Sequence, residues 1–148
     1  MNYQVVSRTV QPQLLAIARG TAPEGQIGHV VMKLMGTAWN FIRKEGIKGG
    51  HNVAVYRGDP KKVPIEAGVE VSERFDGDKT VFYSATPGGR VVMTTHLGSY
   101  HLLGNAHDAI VKHCQASGQK LTGVNWEVYG HWNEDESKLR TDVYYLLA

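Results

Sequence analysis

The chain has 148 residues, of which 42% are hydrophobic and 20% charged, and its formal net charge is +2. This length and apolar content predict one folded domain spanning residues 1–148 and exclude an intrinsically disordered chain. The near-neutral charge argues against a dedicated nucleic-acid binder, no apolar run is long enough to span a membrane, and the N-terminus lacks a signal-peptide pattern. The single cysteine, Cys114, cannot form an internal disulfide, which fits a reducing, cytoplasmic compartment.

The first part of the chain predicts a strand, a helix and three further strands. Apolar residues at helical spacing predict the helix from Gln26 to Glu45, with Gly46 as its C-terminal stop. Asp76-Gly77 is typical of a hairpin turn, so the last of these strands is expected to return beside the one before it. The strands are predicted at residues 12–19, Asn52–Tyr56, Ala67–Phe75 and 81–86.

The second part repeats the pattern of strand, helix, strand and strand. The helix is expected to begin near Ser99, a favourable N-cap, and to end at Gly118. Leu103, Ala106, Ile110 and Cys114 would share one apolar stripe on this helix, so we expect Cys114 to pack in the core. The strands are predicted at Arg90–Thr95, Val124–Gly130 and Thr141–Leu147.

The two parts match each other in order and spacing. Asn52–Tyr56 resembles Asn125–Tyr129, and the last residues of these segments are 73 positions apart. We infer a duplicated βαββ unit, with one half at about residues 1–75 and the other at about 80–148. This predicts an α+β fold in which two pseudo-symmetric units form antiparallel sheets, with helices on one face and a ligand groove on the other.

The matched strands differ at one informative position, where Ala54 in the first copy is Glu127 in the second. The valine and tryptophan side chains of these strands are expected to lie under the helices, so the opposite face would carry Tyr56, Glu127 and Tyr129. A carboxylate in mid-strand is costly unless it is solvated or paired, and beside aromatic rings it favours a cation. The pattern alone leaves open that Glu127 lies on an ordinary solvated face.

Four short motifs resemble the GyrI-like (gyrase-inhibitor-like) family, which is also called the bacterial transcription-activator effector-binding domain. They are Gly89-Arg90-Val91-Val92, His96-x-Gly98-x-Tyr100, Glu127-x-Tyr129 and Thr141-Asp142-Val143-Tyr144. The resemblance implies two βαββ units around a central groove that binds amphipathic, often cationic compounds. It also implies that the acid of the Glu-x-Tyr motif, Glu127 here, lies at the floor of that pocket.

Further residues are candidates for the pocket by their position. Tyr100, Trp39 and Met35 would form walls, although core packing explains the last two equally well. Trp132 would be a rim aromatic or an anchor for its loop. The predicted ligand-binding set is Glu127, Tyr129, Tyr56, Tyr100, Trp39, Met35 and Trp132.

Neither a metal nor a cofactor is expected. His96, His101, His107 and His113 crowd one segment, but none forms a His-Glu-x-x-His pattern, and no phosphate-binding loop is present. His96 is instead interpreted as a residue that bonds the backbone at the strand–helix turn.

The leading hypothesis is a stand-alone protein that binds amphipathic, cationic aromatic small molecules in a multidrug-like manner. In this family the domain often follows a helix-turn-helix segment, for which the chain has no room, so we expect no direct DNA binding. One alternative is a hydrolase acting on cyclopropane-bearing or similar electrophilic compounds, with Glu127 and either Tyr129 or Tyr100 as catalytic residues. A second alternative is a protein-interaction role with gyrase as partner, and the oligomeric state is left open.

Overall fold

A computed structural model describes residues 2–148, which form eight β-strands and two α-helices. Every strand pairing within the two units described below is antiparallel, and the predicted α+β fold class is confirmed. Neither of the two helices is both long and apolar enough to cross a membrane. The elements are β1 (Val6–Val10), β2 (Leu14–Gly20), α1 (Ile27–Glu45), β3 (Asn52–Tyr56), β4 (Ile65–Glu70), β5 (Phe82–Ala85), β6 (Gly89–Leu97), α2 (Leu103–Ser117), β7 (Leu121–Tyr129) and β8 (Arg140–Leu147).

The chain divides into two compact units, each with one helix and four strands. The first unit is Pro12–Pro87, and its strands lie in the order β3-β4-β2-β5. The second unit combines the described residues up to Gln11 with Gly88–Ala148, and its strands lie in the order β1-β6-β8-β7. Each helix therefore belongs to its own four-stranded set, which contains the three strands of a βαββ unit and one further strand. That these units are the two copies of a duplication stays a prediction.

The helix of the first unit forms where the apolar spacing predicts it. Ala38, Phe41 and Ile42 are buried and pack against strands β2 and β4. The helix ends at Gly46, which adopts φ 70°, a left-handed conformation that glycine takes without strain. Basic side chains in the last turn suit the negative end of the helix dipole.

The helix of the second unit follows a short 3-10 helix, Tyr100–Leu102. The Ser99 side chain accepts a hydrogen bond from the His101 backbone N–H, so the predicted cap caps this 3-10 turn rather than α2 itself. The buried face of α2 carries the predicted apolar stripe, and Cys114 packs there against the core, where burial raises the pKa of its thiol.

The hairpin predicted at Asp76-Gly77 is wrong. Strand β4 ends at Glu70, and β5 pairs with β2 instead of returning beside β4. The turn itself is built by Asp78, whose carboxylate accepts hydrogen bonds from the backbone N–H groups of Val81 and Thr80. These bonds lower the pKa of Asp78. The local signal correctly predicts a turn and the strand after it, but not the strand with which β5 pairs.

The prediction that the valine and tryptophan side chains of the matched strands lie under the helices is also wrong, in both units. On β3 the Asn52 side chain accepts a hydrogen bond from the Trp39 indole of α1, so α1 covers the face of Asn52, Ala54 and Tyr56. On β7, Glu127 contacts α2 in the same way. The reason is that Val53 and Val55, on the other face, are buried as completely as Ala54. Because both faces of β3 are buried, hydrophobicity could not identify the helix-facing one.

Candidate functional site

Glu127 lies in mid-strand on β7, and its carboxylate is buried with only 5% of the residue exposed. One carboxylate oxygen, Oε1, accepts a hydrogen bond of 2.5 Å from the Tyr129 hydroxyl, two residues along the same strand. The other, Oε2, lies 2.6 Å from His107 Nε2 on α2. Both oxygens of the buried acid are therefore bonded to side chains of the second unit. These bonds offset the cost of removing the carboxylate from water.

His107 links this carboxylate to a second tyrosine. Its Nδ1 lies 2.6 Å from the Tyr145 hydroxyl on β8, and the two rings meet edge to face with centroids 5.5 Å apart. An ionised carboxylate only accepts hydrogen bonds, so we assign the proton of a neutral imidazole to Nε2. Nδ1 then accepts from the Tyr145 hydroxyl. The result is a continuous chain from Tyr145 through His107 to Glu127.

The charge of Glu127 contributes to a raised pKa at Tyr145, the other end of this chain. Burial, then the charges of Glu127 and Asp108, raise the pKa of Tyr145 to about 12. The Tyr145 phenol is therefore protonated at neutral pH, as its role of donor to His107 requires. The three groups form one hydrogen-bonded unit with a buried negative charge at its inner end.

Two further residues surround Tyr129. Tyr100, on the 3-10 helix, is 41% exposed and meets the Tyr129 ring edge to face at 5.7 Å, and burial raises the pKa of its phenol. Thr141 lies directly across from Tyr129 in the β7–β8 register and is fully buried. Within the described part of the chain its hydroxyl makes no hydrogen bond. The tyrosine that bonds the acid thus has a second aromatic ring beside it and a buried hydroxyl across from it.

The structure therefore brings together three of the predicted residues, Glu127, Tyr129 and Tyr100, in the second unit. Trp132 lies in the loop after β7 and is 72% exposed. Its role as a rim aromatic stays a prediction.

The remaining candidates belong to the first unit. The Trp39 indole is held by Asn52 at 2.5 Å and carries the Arg43 guanidinium over its ring, and the side chain packs on the core of this unit. Met35 on α1 and Tyr56 at the end of β3 are both half-buried. A groove that joins these side chains with Glu127 stays a prediction.

Sequence reasoning missed two members of the network, His107 and Tyr145. A signal for the histidine was present, because His107 lies four residues after Leu103 and three before Ile110, both on the buried stripe of α2. Tyr145 follows Val143 at the spacing that places both on one face of β8. A lone polar residue in an apolar stripe above a mid-strand acid indicates a partner for that acid.

Among residues 2–148, no group of three or more histidine, cysteine, aspartate or glutamate side chains could hold a metal ion. His96 is fully buried, with Nε2 2.9 Å from the Ser99 carbonyl oxygen and Nδ1 2.8 Å from the Tyr3 hydroxyl. It bonds the backbone at the strand–helix turn, as interpreted from the sequence.

Several solved structures have a fold similar to that of this chain. The fold is similar to the EcmrR C-terminal domain, with 18% identity and a TM-score of 0.84 over 100% of this chain and 99% of that one. It is also similar to SAV2435 bound to tetraphenylphosphonium (11% identity, TM-score 0.64, 100% and 94% of the chains) and to a hydrolase from Listeria innocua (10% identity, TM-score 0.62, 98% and 92%).

No curated protein matches the sequence. The model of one family, described as the GyrI-like small molecule binding domain, matches residues 3–147. That match spans the strands, the helices and all members of the Glu127 network. The chain therefore belongs to the GyrI-like small molecule binding domain family.

Proposed function

We propose that this protein binds amphipathic, cationic aromatic small molecules and that Glu127 provides the charge that attracts them. The observation that carries the proposal is the burial of this carboxylate among a phenol and an imidazole, which leaves a net charge of −1 when His107 is neutral. In surroundings of low dielectric constant that charge is a strong attraction for a cation.

The aromatic part of the proposed ligand follows from the side chains beside the acid. The rings of Tyr129 and Tyr100 contact each other next to the carboxylate, and aromatic faces attract cations and stack on aromatic ligands. The fold neighbour SAV2435 is bound to tetraphenylphosphonium, a compound of this class. Family membership supports a small-molecule ligand, and this neighbour supports a cationic one.

The test separates charge from shape. Tetraphenylphosphonium and tetraphenylborate present the same four phenyl groups around opposite charges, and their binding can be compared by isothermal titration calorimetry at pH 8. We expect the cation to bind about tenfold tighter or more, because the carboxylate attracts one ion and repels the other. Equal affinities, or a preference for the borate, would contradict the proposal.

The proposal includes recognition of several such compounds by a protein acting in the cytoplasm. Attraction between a carboxylate and a cation depends weakly on the rest of the ligand, so unrelated aromatic cations should compete for the same site. Displacement of a bound rhodamine dye by tetraphenylphosphonium would measure this competition. A gyrase partner stays a prediction from the family resemblance.

Hydrolysis is a second candidate, favoured by the Tyr145–His107–Glu127 chain. An imidazole between a carboxylate and a phenol is an arrangement suited to general acid–base catalysis, and a structural neighbour is described as a hydrolase. In this hypothesis Glu127 accepts a proton from water as the water oxygen bonds to a cyclopropane carbon. The ring C–C bond breaks, and its electron pair passes into the electron-accepting part of the ligand, which takes the proton back from the acid. Multiple turnover of a cyclopropane-bearing alkylator, followed by mass spectrometry, would support it. Stoichiometric binding without product would contradict it.

A further inference from the structure

The His107–Glu127 pair can carry either of two net charges. With a neutral imidazole the pair has a net charge of −1, and with an imidazolium it has none. The 2.6 Å contact between Nε2 and Oε2 exists in both states, because Nε2 carries a proton in each. One proton on the opposite side of the ring thus decides whether the buried acid is neutralised from within the protein.

Tyr145 allows both states without breaking the network. When the imidazole is neutral, the Tyr145 hydroxyl donates to Nδ1, and when Nδ1 is protonated, the same hydroxyl oxygen accepts. A phenol can reverse its role by rotating one O–H bond, whereas a carbonyl or an ammonium group in that place would favour one state. The residue on the far side of the ring is therefore one that does not fix the protonation of His107.

Other titratable groups lie around the pair, and their charges bear on it. They are Tyr129 on β7, Tyr145 on β8, Asp108 on α2, Tyr100 on the 3-10 helix and His96 on β6. The raised pKa values keep Tyr145 and Tyr100 uncharged in the physiological range. The two ring nitrogens of His96 are bonded to the Tyr3 hydroxyl and the Ser99 carbonyl oxygen.

We propose that His107 determines which ligand charge the site selects. When the imidazole is neutral, the negative charge of Glu127 attracts a cationic ligand. When the imidazole is protonated, its positive charge neutralises that acid, and uncharged aromatic compounds are preferred. This inference rests on the proposed function, because it concerns the same site. It assigns His107 a specificity-determining role that no motif of the family resemblance contains.

The proposal fixes the sign of a pH dependence. A cation and the imidazolium proton compete for one carboxylate, so the complex holds fewer protons than the free protein. The dissociation constant for a permanent cation must therefore fall as the pH rises, by at most about tenfold per pH unit for one proton. A neutral ligand shows no such fall.

The experiment measures tetraphenylphosphonium binding from pH 5.5 to 8.5 by isothermal titration calorimetry. This probe has no titratable group, so any pH dependence comes from the protein. We expect the wild-type dissociation constant to fall by about tenfold or more across this range. In His107→Gln the amide donates to Glu127 without gaining charge, so its dissociation constant should stay constant with pH to within about twofold. His113→Gln, on the same helix, should keep the wild-type profile.

The outcomes distinguish this inference from the proposed function. Tetraphenylphosphonium that binds wild type with a flat pH profile, or a pH dependence that persists in His107→Gln, would overturn the inference and leave the proposed function standing. Absence of binding at every pH would overturn both.

A wild-type measurement keeps the inference testable if His107→Gln does not fold. Calorimetry in two buffers of different ionisation enthalpy counts the protons released on binding. We expect binding to release up to about one proton per ligand at the acidic end of the range, and fewer protons as the pH rises. Zero release at every pH would overturn the inference.

Discussion

Replacing Glu127 by glutamine removes the buried charge and keeps the shape of the side chain. In Glu127→Gln the amide oxygen can still accept from the Tyr129 hydroxyl. The amide N–H would face His107 Nε2, so the imidazole proton moves to Nδ1, which then donates to the Tyr145 oxygen. Every hydrogen bond of the network therefore survives, and only the two bonds of His107 change direction, so the substitution isolates the effect of charge.

The size of that effect follows from the geometry of the carboxylate. Its two oxygens already have donors at 2.5 Å and 2.6 Å, so a ligand cation interacts from beyond them, at about 6 Å. With an effective dielectric constant of about 20, this attraction is about 2.8 kcal/mol. We therefore expect the tetraphenylphosphonium dissociation constant to rise by about 100-fold in Glu127→Gln.

The assay is isothermal titration calorimetry at pH 8, with thermal melting to verify that the variant folds. Glu70→Gln is the matched control, since it changes the net charge by the same amount but removes the partner of His51 in the first unit. Its affinity should equal that of wild type. An affinity of Glu127→Gln within about threefold of wild type would refute the electrostatic reasoning.

Three further predictions concern the network and its neighbours. Tyr129→Phe removes a donor to the buried carboxylate and should lower the free energy of unfolding by about 1–3 kcal/mol in urea denaturation, and an unchanged value would show that this bond contributes nothing. Thr141→Val replaces a buried hydroxyl without a described partner and should leave the free energy of unfolding unchanged or raise it. Thr86→Val removes the acceptor of the Gln13 backbone N–H and should lower the free energy of unfolding by about 1–2 kcal/mol. A larger loss in Thr141→Val than in Thr86→Val would show that the Thr141 hydroxyl does have a partner. The pKa of Tyr145 lies near 12 in the folded protein and near 10 when unfolded, so the unfolded state loses this proton first and stability should fall between pH 10 and 12. Tyr145→Phe should lose less stability than wild type over that range, and equal losses would be evidence against the shift.

The helices and most strand positions could be predicted from the sequence because their signals are local. The period of α1 and the glycine that ends it fix that helix to within one residue, and β3 has the predicted bounds. Pairing is not local, which is why the turn near Asp76 led to the wrong partner for β5. The burial of both faces of β3 similarly concealed which face α1 covers.

The candidate site could be predicted in part, for the same reason. Glu127 stands out against Ala54 because two copies of one pattern can be compared within the chain. Its contact with His107 joins residues 20 positions apart on a strand and a helix, and it depends on how α2 packs over β7. The apolar stripe of α2 indicates that His107 lies near the buried face of the helix, but no spacing rule tells which strand residue it meets there.

The exposure of His107 has a consequence for kinetics. A fully buried acid exchanges its proton with water only when the structure opens locally, which is slow. Here the Glu127 side chain is 7% exposed, but the imidazole bonded to it is 21% exposed and so reaches solvent. Protons can therefore reach the pair through the imidazole without unfolding. After a rapid jump in pH, the charge of this site should adjust on the fast timescale of side-chain motion, ahead of any exchange of ligand.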